Sequence, residues 1–274
     1  MLGLRTSSCF PVLFFSLSSW QLALIVLAVI AAATIAGHLV GKHLGEERDK
    51  LREPSGVLQG ALLGVVGLIL AFGLSLAVGR YEDRRAASVA EANAIGTTYL
   101  RAQLIAEPAR TVSLDLLRRY TTLALKVSNE VPNSPEIGRT TAAEGLIQRR
   151  LWRLAGQAMA RAPVASAPRL YVDSLNSTID QQSVRLASLD NRVPSAVLIL
   201  ELIGAAAALG LLAMHISILG RGLVPVLAAA ALMTLLLLVI FDLDRPTRGL
   251  IKVPSAPYQA LRASMALPPP AQGP

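Results

Sequence analysis

Apolar residues gather in four long windows, and between the second and third of them charged and polar residues take over at helical spacing. A helix needs about 20 apolar residues to cross the hydrocarbon core of a bilayer. Gln21–Val40, Val57–Val78, Pro194–Ile218 and Leu223–Phe241 each reach that length. No period-two alternation of the kind a strand requires runs through the polar region. The pattern predicts an all-α integral membrane protein with four transmembrane helices and one long helical cytoplasmic domain. The expected segments are an N-terminal leader (1–20), spans one and two (21–78), the helical domain (79–193), spans three and four (194–241) and a cytoplasmic tail (242–274). A cleavable signal peptide competes for the N-terminus, where Phe10–Phe15 follows Arg5. Apolar character continues past Ala31, which is long for a signal core.

Breakers divide the domain into helices. Nothing interrupts the chain from Val57 to Glu107, so span two is expected to leave the membrane as one rod that Pro108 ends. A second helix is expected over Ala109–Val131, before Pro132. Ser134 and Pro135 read as the N-cap and first position of a third helix reaching Arg161. Pro163 and Pro168 break it. In the fourth, Val172, Leu175, Ile179, Gln182, Leu186, Leu189 and Val193 alternate at spacings of three and four. That seam reads first as a core stripe, and second as a contact with the same helix of another subunit. Pro194 is expected only to kink this helix as it enters span three.

Composition sharpens the membrane reading. The 274 residues are 53% hydrophobic with formal net charge +8, and soluble domains rarely carry so much apolar content. The basic excess lies along membrane-flanking segments, so the expected partners are the lipid bilayer and small anions, with no nucleic acid. Arg5, Arg80, Arg84, Arg85, Arg185, Arg192, Arg245, Arg248 and Lys252 outnumber Lys42, Arg48, Lys50, Arg52 and Arg221 on the opposite side. The positive-inside rule then puts both termini and the large domain in the cytoplasm, with the protein multi-pass in the cell (inner) membrane. The single cysteine, Cys9, excludes an intrachain disulfide framework. The chain has no HExxH, phosphate-binding glycine loop or GxSxG. No catalytic residue, metal or cofactor is expected, and the chain reads as a non-enzyme.

Span two concentrates small residues: Gly60, Ala61, Gly64, Gly67, Ala71, Gly73, Ser75, Ala77 and Gly79. Small residues let helix backbones approach closely in lipid. Around a symmetry axis the same helix would line a pore, with Gly64, Val65, Leu68, Ala71, Phe72 and Ser75 as candidates for an apolar constriction that gates by dewetting. Arg80 and Arg84 share a helix face at its exit. In a ring they make a basic collar at the inner mouth, suited to anions; in a monomer they snorkel. Glu201 and His215 are ionisable groups inside span three and stand as candidates for a proton-coupled transporter. Asp242 and Asp244 are too few for a calcium cage and are expected to pair with Arg80 or Arg84.

The run Gly60–Gly64 through Phe72, then Arg80-Tyr81-Glu82, then Glu91 to Arg101 with Asn93 and Gly96, resembles the bestrophin-like domain proteins of bacteria and plants. So does the ending Leu243-Asp244-Arg245-Pro246, followed by Gly249-Leu250-Ile251 and Val253. The resemblance covers roughly Val57–Leu261, and its motif residues are Glu91, Asn93, Gly96, Asp244, Arg245 and Pro246. It implies a bestrophin-like fold. From the bestrophins proper it also implies a homo-oligomeric ring, a pentamer, forming an anion channel whose second span lines the pore. Two departures bear on this. Animal bestrophins clasp calcium with a dense acidic cluster, where this chain has Asp242 and Asp244; their neck is aromatic-rich, where span two has Phe72. The expected function is an oligomeric ion channel for anions; the alternative is a non-conducting scaffold or sensor whose helical domain binds a partner. Gly96 is expected to admit a neighbouring helix, and Asn93 to hydrogen-bond across a helix interface.

Overall fold

A capping box opens the first helix: Ser18 Oγ accepts from Gln21 N, and Gln21 Oε1 accepts from Ser18 N at 2.9 Å. The computed structural model describes residues 18–44, 48–131, 134–245 and 249–268. Most of the expected leader, with Arg5 and Cys9, lies outside them, as do Pro132, Pro246 and Arg248. The described residues form eight helices and no strand: α1 (Ser19–His43), α2 (Arg48–Ala102), α3 (Ala109–Asn129), α4 (Pro135–Arg161), α5 (Ser166–Asp190), α6 (Ser195–Ile218), α7 (Val224–Leu243) and α8 (Ala256–Met265). The chain divides into two compact units, one within Met1–Arg80 and Arg192–Ile251, the other within Tyr81–Asn191 and Lys252–Pro274.

The first unit holds the apolar helices. The four long enough and apolar enough to cross a membrane correspond to the four windows. α1 packs chiefly on α6, and a side chain at Gly37 would overlap the Gly210 backbone. Close approach at this crossing therefore rests on glycine, as small-residue packing in lipid requires. Part-buried polar pairs pin α6 to its neighbours: His38 Nδ1 of α1 to Ser217 Oγ, and Ser55 Oγ of α2 to His215 Nδ1 at 2.8 Å. α6 stops in a Schellman turn. Gly220 takes φ +65°, Gly220 N donates to Ser217 O, and Arg221 N donates to Ile216 O.

The second unit is a helical bundle. Ile95, Leu117, Tyr120, Ala124, Leu151, Ala155, Tyr171 and Leu175 form its core. α4 begins where Ser134 Oγ accepts from Ile137 N, with Pro135 in the first turn. Leu175 and Gln182 of the α5 seam are buried, while Val172 and Ile179 pack at the edge of the core. The seam's first half is thus a core stripe.

Three expectations change. α2 starts nine residues before Val57, includes Pro54, and ends at Ala102 rather than Glu107. Its 55 residues make a rod of roughly 80 Å at about 1.5 Å per residue. Pro194 is a break rather than a kink. Residues 191–194 are non-helical, Asn191 and Pro194 have ψ of 105° and 131°, and Pro194 sits at the N-cap of α6. The residue before a proline is driven out of the helical region, which keeps Val193 from joining α5 to α6. The tail contains α8, whose Tyr258 and Met265 are buried in the bundle.

Candidate functional site

The membrane part of α2 has two unlike faces. Val66, Leu70, Gly73 and Ala77 are buried. Gly64, Val65, Leu68, Ala71, Phe72 and Ser75 are all exposed, at spacings of one, three and four that keep them on the other side of the helix. Phe72 is 68% exposed and Leu68 59%. The six pore candidates therefore share one stripe that none of the described residues covers. Gly60, Gly64, Gly67 and Gly79 meet no atom within 4 Å of where a Cβ would stand. Their small size is not used for packing inside the chain, whereas that of Gly73 is. A side chain at position 73 would overlap Glu201 Oε1. Glu201 is fully buried, and its carboxylate oxygens make no hydrogen bond among the described residues.

The basic pair separates. Arg80 is half-buried. Arg84 is 1% exposed, with Nε donating to Ser188 O at 3.3 Å and Nη2 to Asn191 O at 3.0 Å. This corrects its expected place in a collar at the mouth. Arg84 caps the carbonyl end of α5, where orphan acceptors and the helix dipole both favour a cation.

Glu91 joins a buried polar cluster in the bundle. Arg185 Nε lies 2.5 Å from Glu91 Oε2, and Arg185 Nη2 donates to both oxygens of Glu144 at 3.2 Å. Tyr120 and Tyr258 hydroxyls donate to Glu91, and Gln182 Nε2 donates to Glu144 at 2.6 Å. Burial pushes both phenols above their ordinary range, so they remain neutral donors. Burial also pushes Glu144 up to about 7, against the pull of Arg185. Arg185, counted from sequence among membrane-flanking cations, is a core residue. Spacing does place Gln182 and Arg185 beside Leu175 on one α5 face, but nothing local marks Glu144 as their partner.

Asn93 and Gly96 border a groove of about 500 Å³ between α2 and α8, with Thr97, Pro257, Leu261 and Ser264 among its lining. A side chain at Gly96 would stand 3.2 Å from Leu261 Cδ1, so this glycine admits α8. Asn93 is exposed on the groove wall.

The aspartates after α7 serve the backbone. Asp242 accepts from Leu250 N at 2.9 Å and Ile251 N at 2.8 Å. Asp242 is thus an acceptor for the returning chain. Gly249 makes that return possible, since a side chain there would stand 2.7 Å from Asp242 O. Asp244 is buried, and its Oδ1 accepts from Val193 N at 2.9 Å. Arg245 is buried as well. Among the described residues no group of His, Cys, Asp and Glu is placed to hold a metal ion.

Solved structures share this architecture. A bacterial bestrophin homologue from Klebsiella pneumoniae, in a form carrying one point substitution, superposes with TM-score 0.66 at 12% identity, covering 88% of this chain and 97% of that one. The same homologue solved by zinc phasing gives TM-score 0.61 at 12% identity, with the same coverage. No curated protein matches the chain. The Bestrophin-like domain matches residues 23–258. That span runs from the second turn of α1 to Tyr258, the residue through which α8 reaches Glu91, and the chain belongs to the Bestrophin-like family.

Proposed function

We propose that this membrane protein is one subunit of a homo-oligomeric ion channel in which the exposed stripe of α2 lines the conduit. The observation that carries the reading is the contrast between the faces of α2: one packed, the other small and apolar with no partner among the described residues. Around a symmetry axis, Gly64, Ala71 and Ser75 leave room for a lumen, and Val65, Leu68 and Phe72 narrow it with apolar side chains. Such a constriction opposes wetting when closed and passes ions when widened. Arg80 is the cation retained for the inner mouth and favours small anions. The basic residues beside the spans support a cell (inner) membrane protein with both termini and the bundle on the cytoplasmic side. Asp242 and Asp244 accept from backbone donors, and two carboxylates are too few for a calcium cage.

Liposome flux tests the reading. Purified protein reconstituted at known density should pass chloride, and Leu68→Ala with Phe72→Ala should raise the flux several-fold by widening the constriction. A folded preparation that passes no small ion, with or without those substitutions, sinks the proposal.

A further inference from the structure

The polar cluster of the bundle holds more carboxylate than cation. Glu91 on α2 and Glu144 on α4 are fully buried, and Arg185 on α5 is 2% exposed. One guanidinium serves both acids. Among the described residues the other groups bonded to them are neutral: Tyr120 from α3 and Tyr258 from α8 on Glu91, and Gln182 from α5 on Glu144, with Gln148 from α4 behind Tyr120 and Gln182. With both acids ionised, a negative charge is buried without its own counterion, an expensive arrangement.

We propose that Glu91, Glu144 and Arg185 form a proton-binding site, and that loss of its proton loosens the C-terminal helix α8 from the bundle. Glu144 takes the proton, leaving Arg185 and Glu91 as a one-to-one pair. α8 is coupled to this event because Tyr258 donates to Glu91 Oε2, the same atom that faces Arg185 Nε. Its other end is held where Tyr99 and Arg118 donate to Met265 O. A ten-residue helix has little stability of its own, so α8 persists through docking. Undocking removes one wall of the site and lets water in.

The direction of the effect follows from linkage. Glu144 holds its proton up to about pH 7 in the docked bundle, against an ordinary value of 4.5. The stability gained is therefore complete below 4.5 and is lost as pH rises through about 7. Between pH 6 and pH 8 the docking constant of α8 falls about tenfold. The site does not depend on whether the chain conducts.

Hydrogen exchange on the full chain in detergent tests it. Protection factors over residues 256–265, corrected for intrinsic exchange, should fall about tenfold from pH 6 to pH 8 in the unaltered protein. In Glu144→Gln they should hold their pH 6 level at both. Tyr258→Phe should lower protection at both pH values and flatten the difference. Equal protection at both pH values in the unaltered protein overturns the proposal, as does an undiminished fall in Glu144→Gln. Should Glu144→Gln not fold, difference infrared spectra of the unaltered protein decide. A protonated-carboxyl band present at pH 6 and lost at pH 8 is expected, and its absence counts against the site.

Discussion

Single residues here are explained by what their polar atoms are obliged to do. Arg84 and Arg185 read from the sequence as two of many membrane-flanking arginines, yet both are buried. A guanidinium has five donors and cannot give up its charge in a protein, so burial demands acceptors. Arg84 finds carbonyls at the end of α5, and Arg185 finds two carboxylates. Removing the shared cation leaves both acids buried together. Arg185→Met should cost about 3–5 kcal/mol, read as a fall in the thermal unfolding midpoint in detergent. A loss within experimental error would mean that the cluster contributes nothing net. Tyr258→Phe removes one charge-assisted hydrogen bond and should cost about 1.5–3 kcal/mol by the same measurement.

Helices meet where side chains are absent as much as where they interlock. Gly73 lies under Glu201, and Gly96 lies under Leu261. Gly73→Val should push α2 from α6 and destabilise the chain by about 1–3 kcal/mol. Glu201→Ala in the same chain should recover most of that loss by removing the colliding carboxylate. No recovery would mean the two sites act independently. The Asp242 turn makes a separate prediction. Asp242→Ala strips two backbone donors of their acceptor, so protease cleavage between Gly249 and Ser255 should speed up. These element-level features escape sequence reasoning because a glycine that faces another helix and one that faces open space look alike in a string. Span two has both kinds.

At the scale of the whole chain, the exposed stripe of α2 decides what to measure first. Six residues chosen for their chemistry fall on one open face. A ring subunit, a scaffold and a lipid-facing helix differ in what covers that face. Native mass measurement in a mild detergent should give an integral multiple, above two, of the 29.0 kDa chain. A monomer or dimer would favour the scaffold. Cross-linking of Leu68→Cys to its symmetry mate should succeed in the oligomer and fail on dilution to monomer; Cys9→Ser in the same background removes the competing thiol.

By itself the sequence determined the count of spans, the absence of strands from the plan, and the starts of α3 and α4, where Pro108 and the Ser134–Pro135 cap stand. Hydrophobic windows, prolines and the Ser134–Pro135 cap act through nearest neighbours, so they can be read in a line. The start of α2 was missed because Pro54 is tolerated in an early turn, and the break at 191–194 because a proline permits either a kink or a stop. Tertiary structure alone decided which arginines are buried, that Glu144 and Glu91 share one cation, that α8 docks through Tyr258, and that Asp242 holds backbone. Each of these depends on pairing groups far apart in the chain. Such pairing is set by where helices cross, and no local energy term records it.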